Sequence, residues 1–375
     1  MNIPPEAVRA TLRCAYAFLR LFVRETKCKI VFLSRQANVP SIDFELLAEE
    51  LKKRNSNVKI VMVCCRMGDD TKSKLMFIWA QLRSLYHLAG SRVCVLDSYS
   101  LAVSVVDHRD SLTVFQLWHA MGKIKKSGLQ TVGLPQGREQ DVADVLRMHH
   151  GYDYVIAGAK AWNQAYMASF GVGESQLLNV GLPRADYLLN NRTLLREHIF
   201  GKYPGLIGKP IILYAPTFRR GGGVSSRALR LVKRLDLGKY NLVVRGHANQ
   251  PLVAQREGVF ECPEYSGMEL LAVASILVTD YSAIAVEAAL IDLPTFYYLY
   301  DFDDYRETNG LNLDVTSEFP RIAFKTSTDV VNAIYNDYPR EELDRYKEKY
   351  LFPDPGHSTA DIADAIFEKG GLCQR

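Results

Sequence analysis

No run of about 18 consecutive apolar residues occurs in the 375-residue chain, and no secretory leader is legible at its start. A soluble or peripheral protein is therefore expected. The seven cysteines (Cys14, Cys28, Cys64, Cys65, Cys94, Cys262 and Cys373) contain no C-x-x-C pair and are odd in number. That spacing argues against a thiolate metal site or a disulfide framework and fits a reducing cytosol. A large charge of one sign is also missing. The formal charge is +4, too small an excess to point to nucleic acid, though it suits an anionic substrate or membrane surface. No aromatic–basic strand motif of an RNA-binding kind appears. Low-complexity tracts and short-period repeats are absent as well. With 48% hydrophobic and 23% charged residues, the chain has ordinary globular composition and length enough for two domains.

What is present begins with a helix expected over residues 5–27. Arg9, Arg13, Arg20 and Arg24 share one face of it, and Leu12, Ala15, Tyr16, Leu19, Phe22 and Val23 cover the other. A helix lying in a membrane interface has this pattern, and so does an ordinary surface helix packed on a domain. Apolar strands then alternate with helical stretches: Ile30–Ser34, Val58–Cys65, Arg92–Leu96, Ser111–Leu117, Tyr154–Ala157 and Leu177–Val180 read as strands. A polar helix is expected at Thr193–Ile199, followed by a stretch punctuated by Pro204, Gly205, Gly208 and Pro210. The alternation restarts with strands at Ile211–Ala215, Asn241–Arg245, Ile276–Thr279 and Thr295–Tyr298. Strands alternating with helices mean mostly parallel sheets with helices on both faces. The expected organisation is a basic helix over 1–27, a first domain over 28–200, a second over 201–345, and closing helices over 346–375 that cross back to the first domain or stay with the second.

Open parallel sheets bind ligands at the carboxyl ends of their strands. Four such ends carry unusual polar residues. His119 follows the strand ending at Leu117, in a loop with Lys123, Lys125 and Lys126 and no acidic residue from Ser111 to Gly137. An imidazole there suits a general base for a hydroxyl acceptor, although a core histidine beside solvated lysines reads the same way. After Ile211–Ala215 come Pro216, Thr217, Phe218, Arg219 and Arg220, then three glycines. Arginines at a backbone that ligands can approach closely suit phosphate; the Lys-Ser/Thr of a P-loop is missing. Arg245, Gly246 and His247 end a third strand, where a histidine can stabilise charge on a departing phosphate. Asp280, Tyr281, Ser282 and Ala283 follow a fourth, with Ser282 expected to cap a helix that carries Glu287. Capping alone explains that turn, and a phosphate site at the helix start explains it equally.

Taken together, these motifs resemble the CDP-glycerol:poly(glycerophosphate) glycerophosphotransferases, which build teichoic acids and related capsules. The resemblance runs through Trp118-His119, Gly181-Leu182-Pro183-Arg184-Ala185-Asp186-Tyr187-Leu188, Leu213 to Arg219, Arg245-Gly246-His247, Thr279 to Ser282, and Pro294 to Tyr297 with Tyr300, Asp301 and Tyr305. Each motif is weak alone; their order and spacing carry the signal. The chain departs from the family pattern at Ala120 and Met121, where Gly-Thr is usual, at Ala248 for a proline, and at Ala283 for a second serine.

The resemblance implies α/β architecture of the GT-B kind: two facing Rossmann-like, doubly wound domains, here with an amphipathic N-terminal helix. It implies an enzyme without metal or cofactor, with CDP-glycerol or CDP-ribitol as substrate and a polyprenyl-diphosphate-linked acceptor. His119 and His247 would be catalytic. Pro216, Thr217, Arg219, Arg245, Gly246, Asp280, Tyr281, Ser282, Ala283 and Glu287 would bind donor. Lys123, Arg184 and Asp186 would serve the acceptor or the structure. The expected place is the cytoplasm, on the inner face of the cell membrane and its anionic surface. A nucleotide-sugar glycosyltransferase of the same architecture, or an inactive scaffold of a polymer-synthesis complex, remain alternatives at this point.

Overall fold

The computed structural model describes residues 4–217, 226–245 and 257–372. Two parallel sheets of six strands each organise them. The first contains β1 (Lys29–Ser34), β2 (Lys59–Cys64), β3 (Val93–Leu96), β4 (Thr113–Gln116), β5 (Tyr154–Ile156) and β6 (Leu177–Leu178), in the order β2-β1-β3-β4-β5-β6. The second contains β7 (Ile211–Ala215), β8 (Asn241–Val244), β9 (Val259–Phe260), β10 (Ile276–Thr279), β11 (Thr295–Tyr298) and β12 (Ala323–Phe324), in the order β12-β11-β10-β7-β8-β9. Every strand pair is parallel. The central strands are buried on both faces: β3, β7, β8 and β11 have no exposed residue, which is why they read as continuous apolar runs.

In each sheet the strand order reverses once. The chain moves from β1 to β2 in one direction and then crosses to β3 on the other side of β1. It likewise moves from β7 through β8 to β9, then crosses to β10 on the other side of β7. At such a reversal the flanking connections diverge and leave a crevice at the strands' carboxyl ends. The reversal points are thus β1/β3 in the first sheet and β7/β10 in the second.

The chain divides into two compact units. One comprises 1–119, 127–186 and 352–375; the other comprises 120–126 and 187–351. The Pro- and Gly-punctuated stretch 204–210 lies inside the second unit. Where a short polar helix was expected, the structure has one long helix, Pro183–Lys202. It starts inside the Gly-Leu-Pro-Arg motif, because the fixed φ of Pro183 suits a first helical turn.

The first helix is Pro5–Phe22, five residues shorter than expected, and three of its arginines contact neighbouring elements of the first unit. Arg9 donates to the Val145 carbonyl (3.4 Å), and Arg13 pairs with Asp107 (2.5 Å), which Arg147 also holds (2.8 Å). Arg20 donates to the Asp107 carbonyl (3.2 Å). Leu12 and Tyr16 are buried. The helix also exposes large apolar side chains: Phe18 is 62%, Leu21 77% and Phe22 69% accessible.

Candidate functional site

Three strand ends meet around His119 in the first unit. Leu117 donates to the Leu96 carbonyl (2.7 Å), keeping the chain in register with β3 one residue past β4. Trp118 then takes a left-handed backbone with φ +60°, a conformation that costs a bulky residue ~1–3 kcal/mol. Its amide donates to Gln116 Oε1 (2.9 Å), while Gln116 Nε2 donates to the Ser98 carbonyl (3.2 Å). That anchor turns His119 back over the end of β3. The imidazole Nδ1 lies 3.1 Å from the Asp97 carbonyl and 3.1 Å from Gln36 Nε2, and the Trp118 ring lies against it at 4.1 Å.

This geometry selects a tautomer. A carbonyl oxygen can only accept, so the contact with Asp97 requires the proton on Nδ1. The Gln36 amide can turn its oxygen instead of its nitrogen toward the ring; the main chain cannot. The basic lone pair is then on Nε2.

Two buried carboxylates, Asp97 and Asp43, influence one another near this strand end. The Asp97 carboxyl is buried and is pushed up to about 6, chiefly by desolvation, with hydrogen bonds from Ser34 and Ser98 working against the rise and Asp43 adding to it. Asp43 stands at the start of the helix Ile42–Arg54 and is itself buried. It accepts from the Arg184 amide (2.8 Å) and Nε (2.8 Å) and from Nη2. Arg184 therefore neutralises a buried carboxylate in the same unit. Asp186 accepts from the Ser358 amide (3.1 Å), the Thr359 amide (2.7 Å) and the Thr359 hydroxyl (2.7 Å), capping the closing helix Ser358–Lys369. Both motif residues thus have a visible structural partner.

In the second unit the same kind of crevice is closed by one carboxylate. Asp280, just past β10, is buried and accepts from the Thr217 amide (2.9 Å) and hydroxyl (2.5 Å), and from the Tyr281 amide (2.6 Å). It joins the ends of β7 and β10 at their reversal point. Tyr281 is buried, stacks on Tyr305 at 4.0 Å, and donates to Asp301 (3.1 Å). The Arg245 amide donates to the Tyr214 carbonyl (2.8 Å), placing this residue beside the end of β7. Ser282 is not the helix cap that was expected. The helix is Ile284–Leu290 with Ala283 at its cap position, and the Ser282 hydroxyl accepts from the Ile284 amide (3.4 Å) as a turn. An extra residue in the turn displaces the cap by one position. Glu287 is buried in that helix. Arg219, Arg220, Gly246 and His247 lie outside the described residues.

Lys123 belongs to the second unit and is buried. Desolvation, with Lys125 adding repulsion, drives its ammonium group far below the usual lysine range. Its carbonyl accepts from Asn312 (3.0 Å), and Ile124 accepts from the Asn312 amide (2.8 Å), so segment 120–126 is stitched to the loop around 310.

Two features escaped sequence reasoning. One is the group that orients His119: Asp97, Gln36 and Gln116. An acid directly after the strand Arg92–Leu96 was the available signal. The other is the outward apolar face of the helix Thr71–Ala89, which packs on Pro5–Phe22; the helix itself is legible in the sequence over Leu75–Leu88. Trp79 is 64% and Leu75 62% accessible, and Ile78 and Leu82 are exposed on the same stripe.

A model of the CDP-Glycerol:Poly(glycerophosphate) glycerophosphotransferase family matches residues 15–368. A teichoic acid ribitol-phosphate primase of Bacillus spizizenii is 29% identical over 374 residues, covering 96% of this chain and 96% of that protein. A teichoic acid glycerol-phosphate primase of Bacillus subtilis is 27% identical over 294 residues, covering 76% of each. Among solved structures, the wall teichoic acid polymerase TagF is similar with a TM-score of 0.75 at 18% identity, over 97% of this chain and 95% of that one. A likeness at that identity speaks for the fold alone.

Proposed function

The chain belongs to the CDP-glycerol:poly(glycerophosphate) glycerophosphotransferase family, and from that premise we propose that it moves glycerol phosphate or ribitol phosphate from a CDP-activated donor to a teichoic-acid-type acceptor, releasing CMP. The observation that carries the chemistry is the seat of His119. Its Nδ1 rests on the Asp97 carbonyl, which leaves Nε2 to take a proton.

In this reading Nε2 removes the proton of the acceptor hydroxyl. The oxygen attacks the donor phosphorus that carries the polyol. A new P–O bond forms, the bond to the bridging oxygen breaks, and CMP departs with that electron pair. His247, Arg219 and Arg245 would meet the charge that develops on CMP, as their motifs suggest. Asp280 acts indirectly, by holding Thr217 at the end of β7. The two parallel-sheet units would be the two domains of a GT-B enzyme.

The acceptor is taken to be lipid-linked through a polyprenyl diphosphate, and the enzyme to sit on the inner leaflet. No described helix is long and apolar enough to cross a membrane. The support is the outward apolar surface of Pro5–Phe22 and Thr71–Ala89, with Lys72, Lys74 and Arg83 exposed along the second helix.

The test is CMP release from CDP-glycerol and CDP-ribitol by purified wild type and His119→Ala. A lost general base lowers turnover by ~10²–10⁴. The variant should keep the wild-type melting temperature, because the ring is half-exposed. Turnover equal to wild type would remove His119 from the mechanism.

A further inference from the structure

Arg35 and Arg138 both lie against Tyr99, at the reversal point that also holds His119. Arg35 directly follows β1. Its amide donates to Ser98 Oγ (3.0 Å) and its Nη1 to the Tyr99 carbonyl (3.2 Å). Its guanidinium stands 5.1 Å from the Phe77 ring centroid and 5.7 Å from that of Tyr99. Arg138 approaches the same Tyr99 ring at 5.5 Å. Tyr99 is a fixed platform: it is buried, and its hydroxyl donates to the Leu146 carbonyl (3.0 Å).

These two cations differ from their neighbours. Arg184 has Asp43 and Arg147 has Asp107. Among the described residues, neither Arg35 nor Arg138 has an ion-pair partner, and Arg35 Nε is buried without a hydrogen bond. The Asp97 carboxyl, on the adjoining strand end, turns to Ser34 and Ser98 instead. Burial, and then repulsion by Arg138, lower the pKa of Arg35. Two like charges gathered at one ring, with no counter-charge, form an electrostatically incomplete arrangement that an anion would complete.

The position relative to the base is close in sequence and in space. Gln36, which touches His119, follows Arg35, and Asp97, whose carbonyl holds His119, lies two residues before Tyr99. We propose that Arg35 and Arg138 form an anion site in the first unit that seats a phosphate group of the acceptor beside His119. This rests on the transferase reading above and narrows it. Planar guanidiniums grip phosphate oxygens in pairs, so the acceptor class is a hydroxyl compound carrying a phosphodiester or diphosphate near the reacting hydroxyl. An uncharged glycan end would leave both cations uncompensated.

The experiment uses the full chain with Arg35→Gln, Arg138→Gln, the double variant, and Arg138→Lys as the conservative control. Inorganic pyrophosphate is titrated calorimetrically into each, and CMP release is measured against acceptor and donor concentration. Loss of a charged hydrogen-bond donor should weaken pyrophosphate binding and raise acceptor KM by roughly 10- to 100-fold. The KM for the CDP donor should not move, and the lysine variant should recover part of the loss. Arg138 is half-exposed on a loop, so its variants decide the matter if Arg35→Gln fails to fold. Wild-type pyrophosphate affinity and acceptor KM in the Arg138 and double variants would overturn the site while leaving CMP release intact. Absence of CMP release from wild type, with arginine-dependent pyrophosphate binding, would instead sink the transferase reading. Flotation on phosphatidylglycerol vesicles separates a lipid headgroup from the acceptor. Arginine-dependent flotation with an unchanged acceptor KM would overturn the acceptor assignment.

Discussion

Asp97 acts on its surroundings through two different groups. Its main-chain carbonyl holds His119, whereas its buried carboxyl is pushed up to about 6. The second fact has a stability consequence of definite sign. Below about pH 4 the carboxyl is protonated whether the chain is folded or not. Between about 4 and 6 the unfolded chain releases its proton first, so stability falls as pH rises. Above 6 the cost is complete, at about 3 kcal/mol for a shift of roughly two units. Asp97→Asn should therefore flatten the urea-unfolding stability between pH 4 and 6 and leave the protein more stable than wild type at pH 7.5. Because the contact to His119 comes from the main chain, turnover should stay within about tenfold of wild type. A fall as deep as that of His119→Ala would show that the carboxylate itself takes part. Gln116 and Trp118 illustrate a similar economy. One amide side chain holds a strained turn and, through it, the orientation of the next residue.

At the scale of elements, the Gly-Leu-Pro-Arg-Ala-Asp motif joins the long helix to the closing one. Gly181 has no room for a side chain: a Cβ there would meet Phe352 at 2.3 Å and Ser358 Oγ at 2.6 Å. Asp186, five residues on, supplies the cap that the closing helix lacks in its own sequence, since His357 makes no side-chain cap bond. A carboxylate at a helix start satisfies orphan amides and favours the local dipole. Asp186→Asn should cost ~1–3 kcal/mol in global stability. It should also speed hydrogen exchange at the amides of 358–361 more than in β1 or β3. Uniform protection across the first unit would refute the trans-cap role. The second unit has a parallel device in Asp280, which binds an amide and a hydroxyl 63 residues away in sequence.

For the molecule as a whole, the two paired helices of the first unit expose a surface that aqueous contact alone does not favour. Exposed Phe18, Leu21, Trp79 and Leu75 suit insertion at the lipid headgroup boundary, and the interspersed lysines suit anionic lipid. Wild type should float with phosphatidylglycerol-containing vesicles. Leu75→Asp with Trp79→Asp should abolish this without lowering the melting temperature, since both side chains are already in water. Arg13→Ala should float normally, because its guanidinium is occupied by Asp107. Flotation lost with Arg13→Ala but kept in the aspartate variant would reverse the assignment of faces.

Much of this protein follows from local pattern. Apolar runs such as Ile211–Ala215 announced buried parallel strands, because strand burial and strand direction are properties of short segments. Ordered motifs spanning the chain announced the family. Other facts depend on which segments become neighbours. Nothing local says that the Asp97 carbonyl meets His119, that Asp280 reaches Thr217, or that Arg35 and Arg138 share one tyrosine; strand order decides each of these. A helical apolar period shows that a helix has an apolar face, but not whether the fold covers it. For Pro5–Phe22 and Thr71–Ala89, packing buried Leu12, Tyr16, Phe77 and Leu85 and left the neighbouring apolar residues in solvent. Burial is a relation between elements, so only the assembled unit determines it.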